Sequence, residues 1–340
     1  MPRKVSVLVA GSWGTAIASV LAENQLDVTL WSRNEEQVME INQEHRNHRF
    51  LGDTVLSDRI RATTSMEEAL FQADAVFVVA PSSAVRSVAS QMRAFLSQET
   101  LLIHATKGFE ADSLKRMSTV LADELPDYDA TSIVVLSGPS HAEEVIKQCP
   151  TTVVVASESP LAAEAAQDLL INSYFRVYTN PDVVGVEVSG ALKNIIALGA
   201  GLTDGLDFGD NAKAALLTRG LAEISRLGTS MGGNPLTFAG LAGIGDLVVT
   251  CTSKHSRNWR AGYLLAQGKP LPEVLQEMGM VVEGVKTTQA AYKLSRQYEV
   301  TMPIAEQLYE VLFNGKEPIA AADDLMGRGR KDEIHTDKPL

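Results

Sequence analysis

The chain is poor in cysteine, and the few it has are badly placed for a scaffold. Cys149 and Cys251 are the only two among 340 residues, and they lie far apart in no spacing typical of a metal site. A disulfide framework and a structural zinc site are therefore not expected, and we predict no bound metal. Such sparse cysteine fits the reducing cytoplasm, which is the expected location.

Long apolar runs and excess positive charge are lacking as well. No uninterrupted run of about 18 apolar residues occurs, so no membrane span is expected. The first nine residues read as a strand rather than a signal peptide, because a glycine turn follows with no cleavage-type site. A net charge of −12 argues against nucleic acid as a partner. Any anionic ligand must then be met by a local basic pocket.

What remains is the composition of a globular protein, 45% hydrophobic and 21% charged, with a length that favours two domains. β-Branched runs alternate with amphipathic stretches in the first half. The predicted strands are residues 4–9, 27–31, 75–80, 100–105, 132–137 and 151–156. The predicted helices between them are residues 14–24, 66–73, 83–95 and 161–170. This alternation predicts an α/β fold with a doubly wound, mostly parallel sheet over residues 1–180.

The pattern changes near Asn180, beyond which strands nearly vanish. Long helical segments are predicted at residues 183–200, 211–231 and 285–296, with glycine-rich breaks at 199–209 and 232–245. Residues 181–330 therefore read as a second, all-helical domain. The charged residues 331–340 are predicted to be a frayed tail.

A glycine turn follows the first strand and opens the first helix, as in a Rossmann-type dinucleotide site. Gly11 allows the backbone to approach a pyrophosphate, and Gly14 allows the helix to pack on the sheet; Ser12 and Trp13 lie between them. Val9 stands where the first glycine is usual, and its branched side chain should crowd the backbone if the position needs positive φ. The alternative is a plain strand–helix turn.

The end of the second strand bears on the choice of cofactor. An NAD-only site usually has an acidic residue there for the ribose 2′-hydroxyl, whereas Arg33 is present here. We therefore predict that NADP(H) is accepted, with some use of NAD(H). The alternative is that Arg33 is only a solvated surface charge.

Two further strands end in residues suited to a ligand. Lys107 follows one strand, and Gly138 and Ser140 follow another. Ligands of open α/β sheets bind outside these carboxyl ends. An ordinary loop lysine and a helix-capping serine are the alternatives. His141, at a helix start, is interpreted as structural.

The helical half carries the remaining candidates. Lys193 lies in an apolar helix, where burial would favour a neutral amine able to take a hydroxyl proton; the alternative is a snorkelling surface lysine. Asp246 follows a flexible turn and could hold a substrate hydroxyl, orient Lys193, or merely cap a helix. Ser256, Arg257 and Asn258 together suit a phosphate, which arginine can grip bidentately.

Together these segments resemble the bacterial NAD(P)-dependent glycerol-3-phosphate dehydrogenases from about residue 5 to residue 327. The resemblance rests on the strings AGSWGTA at 10–16, ATKG at 105–108, SGPS at 137–140, GALKN at 190–194, GIGDL at 243–247 and SRN at 256–258. It implies that Lys193 is the proton acceptor. The implied substrate-binding residues are Lys107, Gly138, Ser140, Lys193, Asp246, Ser256, Arg257 and Asn258. The implied NADP(H)-binding residues are Ser12, Trp13, Arg33, Lys107, Ala142, Arg257, Val281 and Glu283, beside Gly11 and Gly14 of the turn.

The same resemblance implies reversible hydride transfer between NAD(P)H and dihydroxyacetone phosphate, supply of glycerol 3-phosphate for phospholipid synthesis, and a homodimer. Two other functions remain open. A β-hydroxyacid dehydrogenase would share the cofactor domain and a helix lysine, but it would not need the phosphate set at 256–258. A catalytically silent NAD(P)-binding sensor would need neither.

Overall fold

The computed structural model describes residues 3–330 and Glu333. An eight-stranded sheet runs in the order β3-β2-β1-β4-β5-β6-β7-β8 and is parallel except between β6 and β7. Its strands are β1 Lys4–Leu8, β2 Asp27–Trp31, β3 Ile60–Thr63, β4 Ala75–Val78, β5 Leu101–His104, β6 Val134–Ser137, β7 Thr151–Ala156 and β8 Phe175–Asn180. β4 and β6 are buried at every position, as expected of apolar strands covered on both faces.

Helices cover both faces of this sheet. They are α1 Ser12–Glu23, α2 Glu35–Glu44, α3 His48–Leu51, α4 Met66–Leu70, α5 Val85–Met92, α6 Met117–Glu124, α7 Ala142–Val145 and α8 Pro160–Leu170, with 3-10 turns at Ser82–Ala84 and Ala130–Ser132. One core joins α1 and α8 to one face, and a second core joins α5 and α6 to the other. The predicted doubly wound sheet is confirmed.

The second half is helical throughout. Its helices are α9 Val183–Gly205, α10 Gly209–Ser230, α11 Pro235–Phe238, α12 Asp246–Thr252, α13 Arg257–Ala266, α14 Leu271–Met278, α15 Glu283–Gln297, α16 Pro303–Phe313 and α17 Pro318–Met326, with a π-helical turn at Leu241–Gly245. α9 is the centre of this domain, since α10, α13 and α15 all pack on it.

The predicted break at 199–209 is shorter than expected, because α9 continues through the glycines at 199 and 201 to Gly205 before α10 begins at Gly209. A Cβ on Gly201 would lie 1.9 Å from the Trp259 carbonyl oxygen, and one on Gly262 would lie 2.0 Å from that of Leu198. These glycines therefore let α9 and α13 approach backbone to backbone.

The prediction also missed two strands. β3 has only four residues, and β8 is an edge strand whose alternate side chains, Arg176 and Tyr178, are exposed. Two stretches, Val183–Gly205 and Pro235–Thr252, have the length and apolarity of a membrane span, but the first is 94% buried in the protein. A core helix has that character, so α9 is not taken for a span. Of the predicted frayed tail at 331–340, all but Glu333 lies outside the described residues.

Candidate active site

The glycine turn has the shape of an anion cradle, with one unusual residue. Val9 adopts φ +82°, a conformation that L side chains rarely take. Beside it, a Cβ on Gly14 would lie 2.2 Å from the Val9 carbonyl oxygen, so the glycine is needed for close packing. Gly11 faces open space, and no side chain caps the start of α1 at Ser12. The first N–H groups of α1 are thus available to a pyrophosphate, and the turn fits NAD(P)(H).

The buried side-chain amide of Asn47 supports the glycine turn. Asn47 is fully buried and donates to the Ala10 carbonyl oxygen at 3.1 Å and to the Thr15 hydroxyl at 2.8 Å. Gln37 donates to the same Ala10 oxygen at 2.7 Å. The sequence offered no signal for these two supports, since both lie in ordinary helical or loop segments.

Arg33 lies just beyond the end of β2 and is exposed. Within residues 3–330 it forms no ion pair, so its guanidinium is available at the place where a 2′-phosphate would be expected. Trp13 lies in the first turn of α1 and Ala142 begins α7, and these two helices are in contact. Glu283, at the start of α15, accepts from the Ser82 N–H at 3.0 Å and from its hydroxyl at 2.7 Å. Ser82 was not predicted from the sequence. Val281, which was predicted, is half-buried and lies just before α15.

Two lysines from different domains meet on one buried carboxylate. Lys107, beyond β5, lies 2.6 Å from Asp246 Oδ2, and Lys193, on α9, lies 2.8 Å from Oδ1. Asp246 begins α12 and is 1% exposed. Because Lys193 is buried and turned into this cluster, the snorkelling interpretation is wrong. The Asp246 carboxylate pairs with Lys193, and its side chain caps no helix.

The charges in this cluster affect each other's titration. Burial lowers the pKa of Lys107 to about 8, although Asp246 acts in the opposite direction. Burial alone would raise the pKa of Asp246, but Lys107 and Lys193 more than offset it and hold that pKa below its usual value. The carboxylate is therefore ionised at neutral pH.

A threonine that the sequence analysis did not select completes the cluster. Lys193 Nζ donates to the Thr250 hydroxyl at 2.6 Å, and this hydroxyl donates to the Asp246 carbonyl oxygen at 2.6 Å. Thr250 lies four residues after Asp246, on the same face of α12. The i, i+4 spacing from Asp246 was therefore the available signal.

Gly138 supports the cluster through its backbone. It adopts φ +122°, and a Cβ there would lie 3.1 Å from Val153 Cα. Its carbonyl oxygen accepts from Lys107 Nζ at 3.1 Å and from the Ser140 hydroxyl at 2.9 Å. Ser140 therefore does not cap α7. His141 has a structural contact, as interpreted: its ring lies 3.3 Å from the Val249 carbonyl oxygen, and burial lowers its pKa.

The predicted phosphate set divides into two parts. Ser256 caps α13 by accepting from the Trp259 N–H, and Asn258 is buried, donating to Asn194 Oδ1 and accepting from the Gly284 N–H, each at 2.8 Å. Arg257 is exposed at the start of α13. Asn194, next to Lys193 in sequence, thus links α9 to α13. Among the described residues, no group of three His, Cys, Asp or Glu side chains is placed to hold a metal.

Comparison with known proteins finds one family over nearly the whole length of the chain. Family models described as the N-terminus and the C-terminus of NAD-dependent glycerol-3-phosphate dehydrogenase match residues 4–163 and 182–323. A Bacillus subtilis relative named glycerol-3-phosphate dehydrogenase [NAD(P)+] is 57% identical, covering 98% of this chain and 96% of its own. A relative of the same name from Lysinibacillus sphaericus is 58% identical, covering 98% of each chain.

Solved structures agree. That of a glycerol-3-phosphate dehydrogenase from Coxiella burnetii matches with a TM-score of 0.92 at 36% identity, over 96% of this chain and 99% of that one. The yeast Saccharomyces cerevisiae protein of the same description matches with a TM-score of 0.83 at 28% identity, over 96% and 100%.

Proposed function

The chain belongs to the NAD-dependent glycerol-3-phosphate dehydrogenase family, and from this premise we propose how its residues carry the activity. It is an NAD(P)-dependent oxidoreductase that interconverts glycerol 3-phosphate and dihydroxyacetone phosphate. The single observation that carries the site assignment is the meeting of Lys107, Lys193 and Asp246 between the two domains.

Lys193 is the proposed acid and base. In the reducing direction its Nζ gives a proton to the C2 oxygen of dihydroxyacetone phosphate, and in the oxidising direction it takes the proton from the C2 hydroxyl. Asp246 and Thr250 fix the amine by accepting its hydrogen bonds at 2.8 and 2.6 Å. The positive charge of Lys107 stabilises the oxygen as negative charge develops on it.

The phosphate of the substrate needs cations, since the molecule as a whole carries a net charge of −12. Arg257 is the proposed bidentate partner because this arginine lies at the start of α13, beside Ser256 and Asn258. Ser256 and Asn258 place it: one caps α13 and the other joins that helix to α9. Lys107, Gly138 and Ser140 form the opposite wall of the substrate site.

For the cofactor, Gly11, Ser12, Trp13 and Gly14 would hold the pyrophosphate, and Arg33 would bind the 2′-phosphate of NADP(H). The remaining residues of the cofactor wall are Lys107, Ala142, Arg257, Val281 and Glu283. When bound, NAD(P)H supplies the hydride. NAD(H) is also accepted, since only the NADP(H) contact uses Arg33.

We extend the proposal to the setting of the enzyme. Residues 1–180 form the cofactor domain and residues 181–330 the substrate domain, with the site between them. The protein acts in the cytoplasm as a homodimer and supplies glycerol 3-phosphate for phospholipid synthesis. The family resemblance supports these statements.

The variant Lys193→Ala tests the catalytic assignment. It is expected to fold and to bind NADPH, yet to lose nearly all turnover of dihydroxyacetone phosphate, because the other residues cannot replace the proton donor. Steady-state kinetics and NADPH fluorescence titration measure the two properties. Lys269→Ala is the control: this lysine also forms an ion pair, with Glu277, outside the cluster. Wild-type kcat in Lys193→Ala would overturn the assignment.

A further inference from the structure

A second buried carboxylate, outside the lysine cluster, joins the two domains. Glu187 lies on α9 and is 5% exposed. Its Oε1 lies 3.2 Å from His104 Nε2 and accepts the Ser118 N–H at 2.8 Å. Its Oε2 accepts the Ser118 hydroxyl at 2.7 Å and pairs with the Arg116 guanidinium. All three partners belong to the sheet domain, whereas Glu187 belongs to the helical one.

The elements joined in this way are those that carry the two site lysines. His104 ends β5, three residues before Lys107, and Glu187 lies six residues before Lys193 on α9. Gly190 and Asn194 follow Glu187 on the same helix face at i+3 and i+7.

This face of α9 lies along the segment from His104 to Lys107. A Cβ on Gly190 would lie 3.5 Å from Lys107 Cγ, and the Asn194 amide donates to the Lys107 carbonyl oxygen at 3.5 Å. The contact of Glu187 with His104 and the contacts of Gly190 and Asn194 with Lys107 therefore lie on one face of α9.

We propose that Glu187 is a positioning residue for hydride transfer: its carboxylate fixes α9 against β5 and α6 and so sets where Lys193 and Lys107 meet. The proposal rests on the roles given above to these lysines. A buried carboxylate is costly unless its hydrogen-bonding capacity is filled. In the observed position of α9, Ser118 and Arg116 fill this capacity, and the His104 ring lies beside the carboxylate.

The charge state supports this role. Burial acts against ionisation of Glu187, but His104, Arg116 and Ser118 prevail and lower its pKa to about 2. Arg116 precedes α6 and Ser118 is in its first turn, where the helix dipole also favours an anion. A shift of α9 by one residue rise, about 1.5 Å, would carry Lys193 with it. Misplacement of about 1 Å can cost on the order of a hundredfold in rate.

A purely structural role is the competing explanation, and the chain provides a matched control. Glu223 is also a buried glutamate of the helical domain, 2% exposed, and it also accepts backbone N–H groups at a helix start, from Ile304 and Ala305. It contacts neither lysine. Glu187→Gln and Glu223→Gln therefore make the same substitution at a positioning and at a non-positioning site, with the Glu223 carboxyl the less ionised of the two.

The test compares kinetics and isotope effects in the full-length enzyme. For Glu187→Gln we expect kcat with dihydroxyacetone phosphate to fall by about tenfold or more, because the proton donor is misaligned. The dissociation constant for NADPH should stay within about twofold. The isotope effect on kcat with NADPH deuterated at the transferred position should rise, since hydride transfer becomes slower relative to product release. Glu223→Gln should keep wild-type kcat and isotope effect, whatever its Tm.

Ser118→Ala is the milder variant. It removes one donor to Glu187 and leaves the Arg116 pair, so it should shift kcat and the isotope effect in the same direction by less. If Glu187→Gln does not fold, Ser118→Ala is measured in its place. Wild-type kcat and isotope effect in the folded variants, with only Tm lowered, would overturn the positioning role. Retained turnover in Lys193→Ala would instead overturn the lysine assignment, so the two failures are distinguishable.

Discussion

At the scale of single residues, Val9 places a branched side chain at a position of the glycine turn that needs positive φ. Its φ of +82° is a glycine conformation, and its carbonyl oxygen packs under Gly14 while its N–H donates to the Trp31 carbonyl oxygen at 3.0 Å. The turn keeps this path because both its ends are fixed by the sheet and by α1. The branched side chain therefore carries backbone strain.

Replacing Val9 by glycine and by alanine isolates this strain from side-chain packing. Both variants lose the valine side chain, but only alanine keeps a Cβ, which costs roughly 1–2 kcal/mol in the left-handed region. Val9→Gly should thus be more stable than Val9→Ala by about 1 kcal/mol, as measured by urea unfolding. Inside a helix, the alanine variant is ordinarily more stable than the glycine variant by about 0.5–1 kcal/mol. Val248→Ala in α12 should therefore be more stable than Val248→Gly. Alanine ahead of glycine at position 9 would contradict the prediction.

The site residues also show what a single sequence can reveal. Lys107, Lys193 and Asp246 lie at strand ends, in an apolar helix and after a glycine turn, and each context marks it. Glu187 lies in the same apolar helix as Lys193, and Thr250 follows Asp246 at i+4, so both had a signal that the prediction did not use. Asn194 had none, because its role depends on which helices face one another. The mutual contact of the lysines through Asp246 is likewise a tertiary fact. Local pattern predicted the chemistry of the site but not its supports.

At the scale of elements, parallel strands and long amphipathic helices were predictable from their periodicity. The four-residue β3 was too short for a pattern, and β8 has exposed side chains at an edge. β7 runs antiparallel to β6 because of the path of the loop after α7, and no sequence pattern predicts that path. The glycines of α9 were mistaken for a break because their partner, α13, lies about sixty residues away in the chain.

Helix α16 begins against Glu223, and this contact predicts a pH-dependent stability. Glu223 Oε1 and Oε2 accept from the N–H groups of Ile304 and Ala305 at 2.8 and 3.2 Å. Burial raises the pKa of its carboxyl from 4.5 to about 7 despite these donors. Because the folded-state pKa is the higher one, the protonated group contributes stability in full below pH 4.5. That contribution is lost as the pH rises through about 7.

Glu223→Gln removes this titration. From pH 4.5 to above 7, the free energy of unfolding of the wild type should fall relative to that of the variant by up to about 3 kcal/mol. Urea unfolding of both proteins at matched pH values measures the difference. Glu317→Gln, at an exposed position before α17, is the control for general effects of charge. Parallel pH profiles for Glu223→Gln and the wild type would rule out the raised pKa.

At the scale of the whole molecule, charged contacts join the two domains at the candidate active site. Asp246 of the helical domain holds Lys107 of the sheet domain, and Glu187 holds His104 and Arg116. The site is therefore part of the domain interface, and its geometry depends on how the domains dock. This arrangement also supplies local positive charge in a chain that is strongly acidic overall.

Asp246→Asn tests this coupling, because it leaves Lys107 and Lys193 facing each other without an anion. Removing one partner of a buried ion pair typically costs about 3–5 kcal/mol, so Tm should fall by several degrees. Inorganic phosphate should then raise the Tm of the variant more than that of the wild type, since it replaces the missing negative charge. Chloride at equal ionic strength controls for screening. Asp204→Asn, which removes the partner of Lys213 within the helical domain alone, should show no such rescue. Equal phosphate effects in Asp246→Asn and the wild type would mean that the two lysines are not held together by this carboxylate.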